Sequence, residues 1–199
     1  MLMNQEYVHL CIVLDASGSM EVIEEDIKGS IKAFMSEQKQ EEGKTVLDVF
    51  QFSNQTRRIV EHVDASECKE EFMDNYRCCG STALNDAVCT AIDTLGREFA
   101  AMEESQRPCH VIFAIVTDGH ENASREFTLD DVKERIDRQT REYNWEFVYL
   151  ASDQSEFDAR CISHSMGVGT SFSVPDKRVL SHCTRETLSQ SLAKAKKKR

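Results

Sequence analysis

Proline is scarce in this chain, with two residues in 199. No stretch rich in glycine and serine compensates for it, so nothing reads as a linker. One domain of ordinary size, with a core of its own, is expected. Basic residues are also in deficit: 24 Lys and Arg stand against 35 Asp and Glu, a formal net charge of -11. That balance speaks against broad electrostatic attraction to nucleic acid or to an anionic membrane, while leaving room for a local basic patch. Residues 1–5 lack the charged start and apolar run of an export signal. The apolar run from Val8 to Leu14 is far too short to span a bilayer. The cytoplasm is therefore the expected compartment. The eight cysteines form an even count, yet without an export signal they are expected to stay reduced. Cys11, Cys89 and Cys109 lie in or beside apolar segments, where a thiol behaves as a small buried hydrophobe.

What the chain does contain is an alternation of apolar runs and helical patterns. Strands are expected at 8–14, 46–52, 57–63, 110–116, 145–151 and near 169–173. Ile23, Ile27, Ile31, Phe34 and Met35 share helical spacing within 21–40. Leu84, Ala87, Val88, Ala91, Ile92, Leu95 and Phe99 make one apolar stripe within 83–102. Further helices are expected at 66–77, 129–143 and 154–166, and from Asp176 into the basic end. The short Ser53–Thr56 connection implies an antiparallel hairpin. Otherwise the order strand, helix, strand, helix implies an α/β, doubly wound, Rossmann-like sheet, mostly parallel, six-stranded, with one antiparallel edge strand and helices on both faces. The expected organisation is an N-terminal arm at 1–6, the α/β domain at 7–175, and a C-terminal helix with a basic tail at 176–199.

Ligands of such sheets bind at the carboxyl ends of the strands. There the sequence places Asp15-Ala-Ser17-Gly-Ser19 after the first strand and Thr117-Asp118-Gly119 after the most hydrophobic one. Gly80-Ser81-Thr82 precedes the strongest helix. Asp15, Ser17, Ser19, Thr82 and Asp118 are all hard oxygen donors, suited to Mg2+, Mn2+ or Ca2+ and not to zinc. Glycines at 18, 80 and 119 allow tight turns around a small ion. Two carboxylates and three hydroxyls roughly neutralise a divalent ion without saturating it. A partner's Asp or Glu carboxylate is the natural further ligand.

These three segments, in this order, resemble the metal-ion-dependent adhesion site of von Willebrand factor A-type (VWA) domains, over about residues 7–175. The segment Thr117 to Arg125 further resembles small intracellular bacterial and phage members. The resemblance implies a sheet parallel except for one edge strand. It also implies metal ligation by the hydroxyls of Ser17, Ser19 and Thr82, with Asp15 and Asp118 acting directly or through water. Gly18, Gly80, Ser81, Gly119, Glu121 and Asn122 would form a partner-binding rim, although Glu121 and Asn122 read equally well as turn residues. The implied function is metal-dependent binding of an acidic protein partner without catalysis, some intracellular members resembling adaptors for AAA+ ATPases.

Two other functions compete. A magnesium-dependent phosphatase of the haloacid dehalogenase type also ends a strand in Asp, but needs a second Asp two residues on as its proton shuttle, and position 17 is Ser. A nucleic-acid-associated protein is supported only by the basic run Lys194 to Arg199, which reads more simply as a solvated helix end. Three other features read as structural. Cys78-Cys79, a conceivable redox switch, is taken as packing thiols. Cys161, His164, His182 and Cys183, a conceivable zinc set, are taken as surface histidines and half-buried thiols. Arg57-Arg58 is taken as a charged edge discouraging unwanted pairing.

Overall fold

Strand β1 (Val8–Asp15) is buried along its whole length, as a strand covered on both faces must be. The structure, a computed structural model, describes residues 7–152, 163–174 and 176–197. After β1 come α1 (Glu24–Gln38), β2 (Thr45–Phe52), β3 (Thr56–Asp64), α2 (Leu84–Ala101), β4 (His110–Thr117), α3 (Leu129–Tyr143), β5 (Glu146–Ser152), β6 (Thr170–Val174) and α4 (Lys177–Lys197). The six strands form one sheet in the order β3-β2-β1-β4-β5-β6. All neighbours run parallel except the β2–β3 hairpin at one edge.

The alternation of side chains along each strand divides the core in two. Leu10, Ile12 and Leu14 pack with Ile27, Ile31 and Phe34 of α1 and with Leu180, Leu188 and Leu192 of α4. Cys11 and Val13 point the other way, into a layer with Val88 and Leu95 of α2, Ile136 of α3 and Trp145. Burying a Leu, Ile or Val fully is worth ~1.5–3 kcal/mol, so both helical layers are held by their apolar stripes. No helix among the described residues is long and apolar enough to cross a membrane.

The winding decides where the site lies. The chain leaves β1 towards β2 on one side and returns to β4 on the other. The crevice where that direction reverses sits beyond the carboxyl ends of β1 and β4, where Asp15 and Thr117 end their strands.

Two expected helices differ from what the fold contains. The 21–40 helix begins earlier, as a 3-10 turn over Gly18–Ile23, and becomes α-helical only at Glu24. Met20 and Ile23 of this turn are fully buried with the α1 stripe, while Val22 is 65% exposed. The 66–77 helix is two 3-10 turns, Ala65–Glu67 and Glu70–Met73. Met73 and Tyr76 are fully buried there, and the Tyr76 hydroxyl donates to the Asp15 carbonyl at 2.5 Å, a reach that a continuous helix would misdirect. Most of the 154–166 helix lies outside the described residues; 163–166 is a helical turn.

Candidate functional site

The Asp15 carboxylate is completely buried and organises the turn after β1. One oxygen accepts the Ser17 amide N–H at 2.7 Å and the other accepts the Thr117 hydroxyl at 2.6 Å. Burial raises the Asp15 carboxyl above its ordinary range, opposed by hydrogen bonds from Thr117 and Ser17 and reinforced by the nearby charge of Asp118. Ser17 Oγ and Ser19 Oγ are 3.0 Å apart, and the Ser19 hydroxyl donates to Asp118 at 2.6 Å. A Cβ placed on Gly119 would lie 3.5 Å from Thr82 Oγ1. Thr82, itself buried, therefore brings its hydroxyl to the turn that carries Asp118. The five expected donors thus converge from three loops at one edge of the sheet.

Backbone contacts bind the loops together. Gly18 N–H donates to the Gly80 carbonyl and Cys79 N–H to the Ala16 carbonyl. Gly80 has φ +80°, and an added Cβ would meet the Asn54 side-chain oxygen at 2.4 Å. Only glycine fits this turn without strain. That Asn54 oxygen instead accepts the Ser81 N–H at 2.6 Å.

Glu121 and Asn122 have structural duties. The Asn122 side chain accepts the Thr82 N–H at 2.9 Å, while the Asn122 N–H donates back to the Thr82 carbonyl. Glu121 accepts the Asn85 N–H in the first turn of α2 and three further bonds from Ala123 and Ser124. Burial works against it, yet these bonds hold its carboxyl below the ordinary range.

The donor set suits a hard divalent ion. In an octahedron with bonds of 2.0–2.1 Å, adjacent oxygens sit about 3 Å apart, which the Ser17–Ser19 hydroxyl pair reproduces. A cation is already in attendance. Lys177, the first residue of α4, donates from Nζ to the Ser19 carbonyl at 2.8 Å and lies 3.4 Å from Asp118 Oδ2. Sequence reasoning missed Lys177, Tyr76, Asn54 and the closing role of Thr117. Thr117 alone left a trace, as part of the quoted Thr-Asp-Gly motif; the others are remote in sequence.

A second polar cluster lies six residues back along β1, about 20 Å away. His9, Asp48 and His62 place potential metal-ligating atoms within 4.8 Å of one another. Here a permanent cation is built in. Arg58 donates to Asp48 at 2.5 Å, to both oxygens of Glu98, and approaches His62 Nδ1 at 2.6 Å. His9 Nε2 is 2.8 Å from Asp48 Oδ2. Burial drives the His9 pKa below its ordinary value, so the ring is neutral. Burial alone would raise Asp48, but His9 and Arg58 outweigh it and hold the carboxyl low. The cluster staples the edge hairpin through Arg58, which bridges Asp48 and Glu98. Arg58, itself half-buried, is accordingly the partner of a buried acid and not only an edge guard, while Arg57 is exposed on edge strand β3.

The remaining cysteine and histidine features stay apart from the site's chemistry. All seven described cysteines are free. Burial pushes the Cys78 thiol up to about 12, far from a reactive thiolate. His182 pairs with Glu186 at 3.2 Å, and Cys161 lies outside the described residues.

The family model described as von Willebrand factor type A domain matches residues 9–186; the chain belongs to this family. Domains of this kind commonly act as metal-dependent protein-interaction modules. Among solved structures, a von Willebrand factor type A protein from Catenulispora acidiphila is 15% identical with a TM-score of 0.61, covering 92% of this chain and 42% of its own. A D319A mutant of the PilB minor pilin from Streptococcus sanguinis is 9% identical with a TM-score of 0.69, covering 99% and 62%. BatB, a conserved hypothetical protein from Bacteroides thetaiotaomicron, is 15% identical with a TM-score of 0.63, covering 96% and 99%. At these identities the likeness is one of fold. The chain spans less than two thirds of the first two structures. No curated protein matches it.

Proposed function

We propose that this chain is a divalent-metal-dependent protein-binding module whose cluster of Asp15, Ser17, Ser19, Thr82 and Asp118 holds Mg2+, or Mn2+ or Ca2+ in its place. The observation that carries this reading is the convergence of five oxygen donors with only two carboxylates among them. When bound, the ion supplies a coordination position for an Asp or Glu carboxylate of the partner. Asp15 orients the first loop through Ser17 and Thr117. Ser17, Ser19 and Thr82 present hydroxyls that add no charge, and Asp118 supplies the exchangeable negative charge now shared with Lys177. Gly18, Gly80, Ser81 and Gly119 rim the position where the partner would sit.

The reading is binding without catalysis. Both Asp15 oxygens are engaged in holding the loop, and position 17 offers a hydroxyl where a phosphatase of the type considered above needs an acid. The partner proposed is a protein, with an AAA+ ATPase as the class the family resemblance suggests, in place of nucleic acid or a membrane. The proposed compartment is the cytoplasm.

The test is calorimetric titration of magnesium and manganese into metal-stripped protein. One-to-one binding in the native chain is expected to vanish in Asp118→Ala and in Ser17→Ala/Ser19→Ala while the circular dichroism spectrum is kept. A native chain that takes up no divalent ion, even with acetate added as a carboxylate ligand, overturns the proposal.

A further inference from the structure

A cavity lies at the opposite end of the sheet from the oxygen cluster. It is a cleft of about 800 Å³ between the C-terminal halves of α2 and α3, within the range of small-molecule sites, roughly 300–1,000 Å³. Asn144, in the left-handed conformation at φ +56°, ends α3 and turns the chain so that Trp145 packs inward, 5% exposed. Phe99 and Trp145, backed by the fully buried Ile92, give the cleft an apolar floor. Trp145 is pinned edge-on to Phe99 and stacked on Phe113 and Phe147. Tyr143, 54% exposed, adds a further aromatic surface.

The charge lining this cleft runs against that of the whole chain. The net charge is -11, yet Arg97, Arg107 and Arg138 line the cavity together with a single carboxylate, Asp93. Asp93 is already committed, accepting three hydrogen bonds from Arg135 at 2.9–3.1 Å. Arg138 is held by Tyr143 and, at 3.4 Å, by Glu142. Arg97 and Arg107 form no ion pair among the described residues. Instead they are held by backbone carbonyls: Arg97 Nε on Asp93, and Arg107 on Met102 and Ala100. These contacts occupy only part of each guanidinium, leaving N–H groups of both for an anion.

We infer that this cleft is a binding site for a small aromatic anion, a flat ring system carrying a sulfonate, carboxylate or phosphate. The ring would lie against Tyr143 and the exposed edges of Phe99 and Trp145, and the acidic group against Arg97 and Arg107. This inference is independent of the metal cluster.

Trp145 is the only tryptophan in the chain, so its emission reports on the cleft directly. The full chain is titrated with 1-anilinonaphthalene-8-sulfonate and, separately, with its neutral analogue N-phenyl-1-naphthylamine. Energy transfer from Trp145 is followed at two salt concentrations. Saturable one-to-one binding of the sulfonate is expected, at least tenfold weaker in Arg97→Gln/Arg107→Gln and weakened by salt. The neutral analogue is expected to bind at least tenfold less tightly and without salt dependence. Absence of saturable transfer, equal binding of the two probes, or an unchanged affinity in the double variant overturns the assignment. Salt dependence in the native chain keeps the test decisive if the double variant folds poorly.

Discussion

The polar clusters near the two ends of β1 hold buried carboxylates with opposite fates. At the amino end Asp48 is enclosed with Arg58, a cation fixed by two further hydrogen bonds to Glu98. At the carboxyl end the hydroxyls of Thr117 and Ser19 bond Asp15 and Asp118, and among the described residues the one cation paired there is the partly exposed Lys177, on Asp118. Hydroxyls satisfy a carboxylate's lone pairs without cancelling its charge, whereas a guanidinium does both. The first cluster is complete as folded and holds structure together. The second retains a demand for a cation and is suited to binding.

The sharpest way to break this comparison is to remove a carboxylate at each end. Asp48→Ala leaves Arg58 and His9 without their buried partner and is expected to cost about 3–5 kcal/mol, read by urea unfolding, with metal affinity unchanged in the fraction that folds. Asp118→Ala is expected to do the converse: magnesium binding is lost, while stability changes by less than about 1 kcal/mol, since its one ion pair is with a partly exposed lysine. Equal stability losses at the two ends would show that the distinction is wrong.

Acid sharpens the comparison next. His9 is held neutral by burial, its folded pKa lying below the unfolded value of about 6.5,. Protons therefore favour the unfolded chain. The stability this group contributes is present above that pH and is lost as pH falls towards the folded pKa. Asp48, also depressed, contributes stability above about 3.9 that is lost on further acidification. Unfolding free energy is expected to fall as pH drops below about 6.5, by up to about 1.4 kcal/mol per pH unit. His9→Gln should flatten this window. An identical slope in the variant would assign the acid response elsewhere.

The smallest expected effect is at Lys177. Removing its charge in Lys177→Met leaves Asp118 without its ammonium partner, a change worth about 1 kcal/mol at an exposed site, or roughly fivefold in affinity. Magnesium should bind more tightly by that factor in calorimetry. Unchanged or weaker binding would mean that Lys177 supports the loop instead of competing with the ion.

Much of this molecule was legible from residue order. The apolar stripe Leu84–Phe99 lies on the buried face of α2, and the run His110–Val116 became a strand with little water contact, because one-dimensional periodicity is a direct image of which face is buried. The five oxygen donors could be named because each sits at a strand end or before a helix, where the winding brings it to one edge. The edge hairpin was legible in outline only. Between Leu47–Val63 and Val49–Val60 the pairing slips, so that Glu61 and His62 stand opposite the single residue Asp48. His62 adopts φ +47°. Such a bulge re-aims side chains, and it turns Arg58, which reads as a surface charge, into a partner of a buried acid.

Local order by itself thus determined the strands, the main helices and where the oxygen donors fall along the chain, since helix and strand periods and turn residues act over a few positions. Tertiary structure alone decided which charges meet. Lys177 reaches Ser19 across 158 residues, Tyr76 reaches the Asp15 carbonyl across 61, and Arg58 reaches Glu98 across 40. No periodicity encodes such contacts. They follow from the packing of α4, the loop before α2, and the edge hairpin onto a common sheet, where solvent is excluded and each buried polar group must find a partner or remain ready for one.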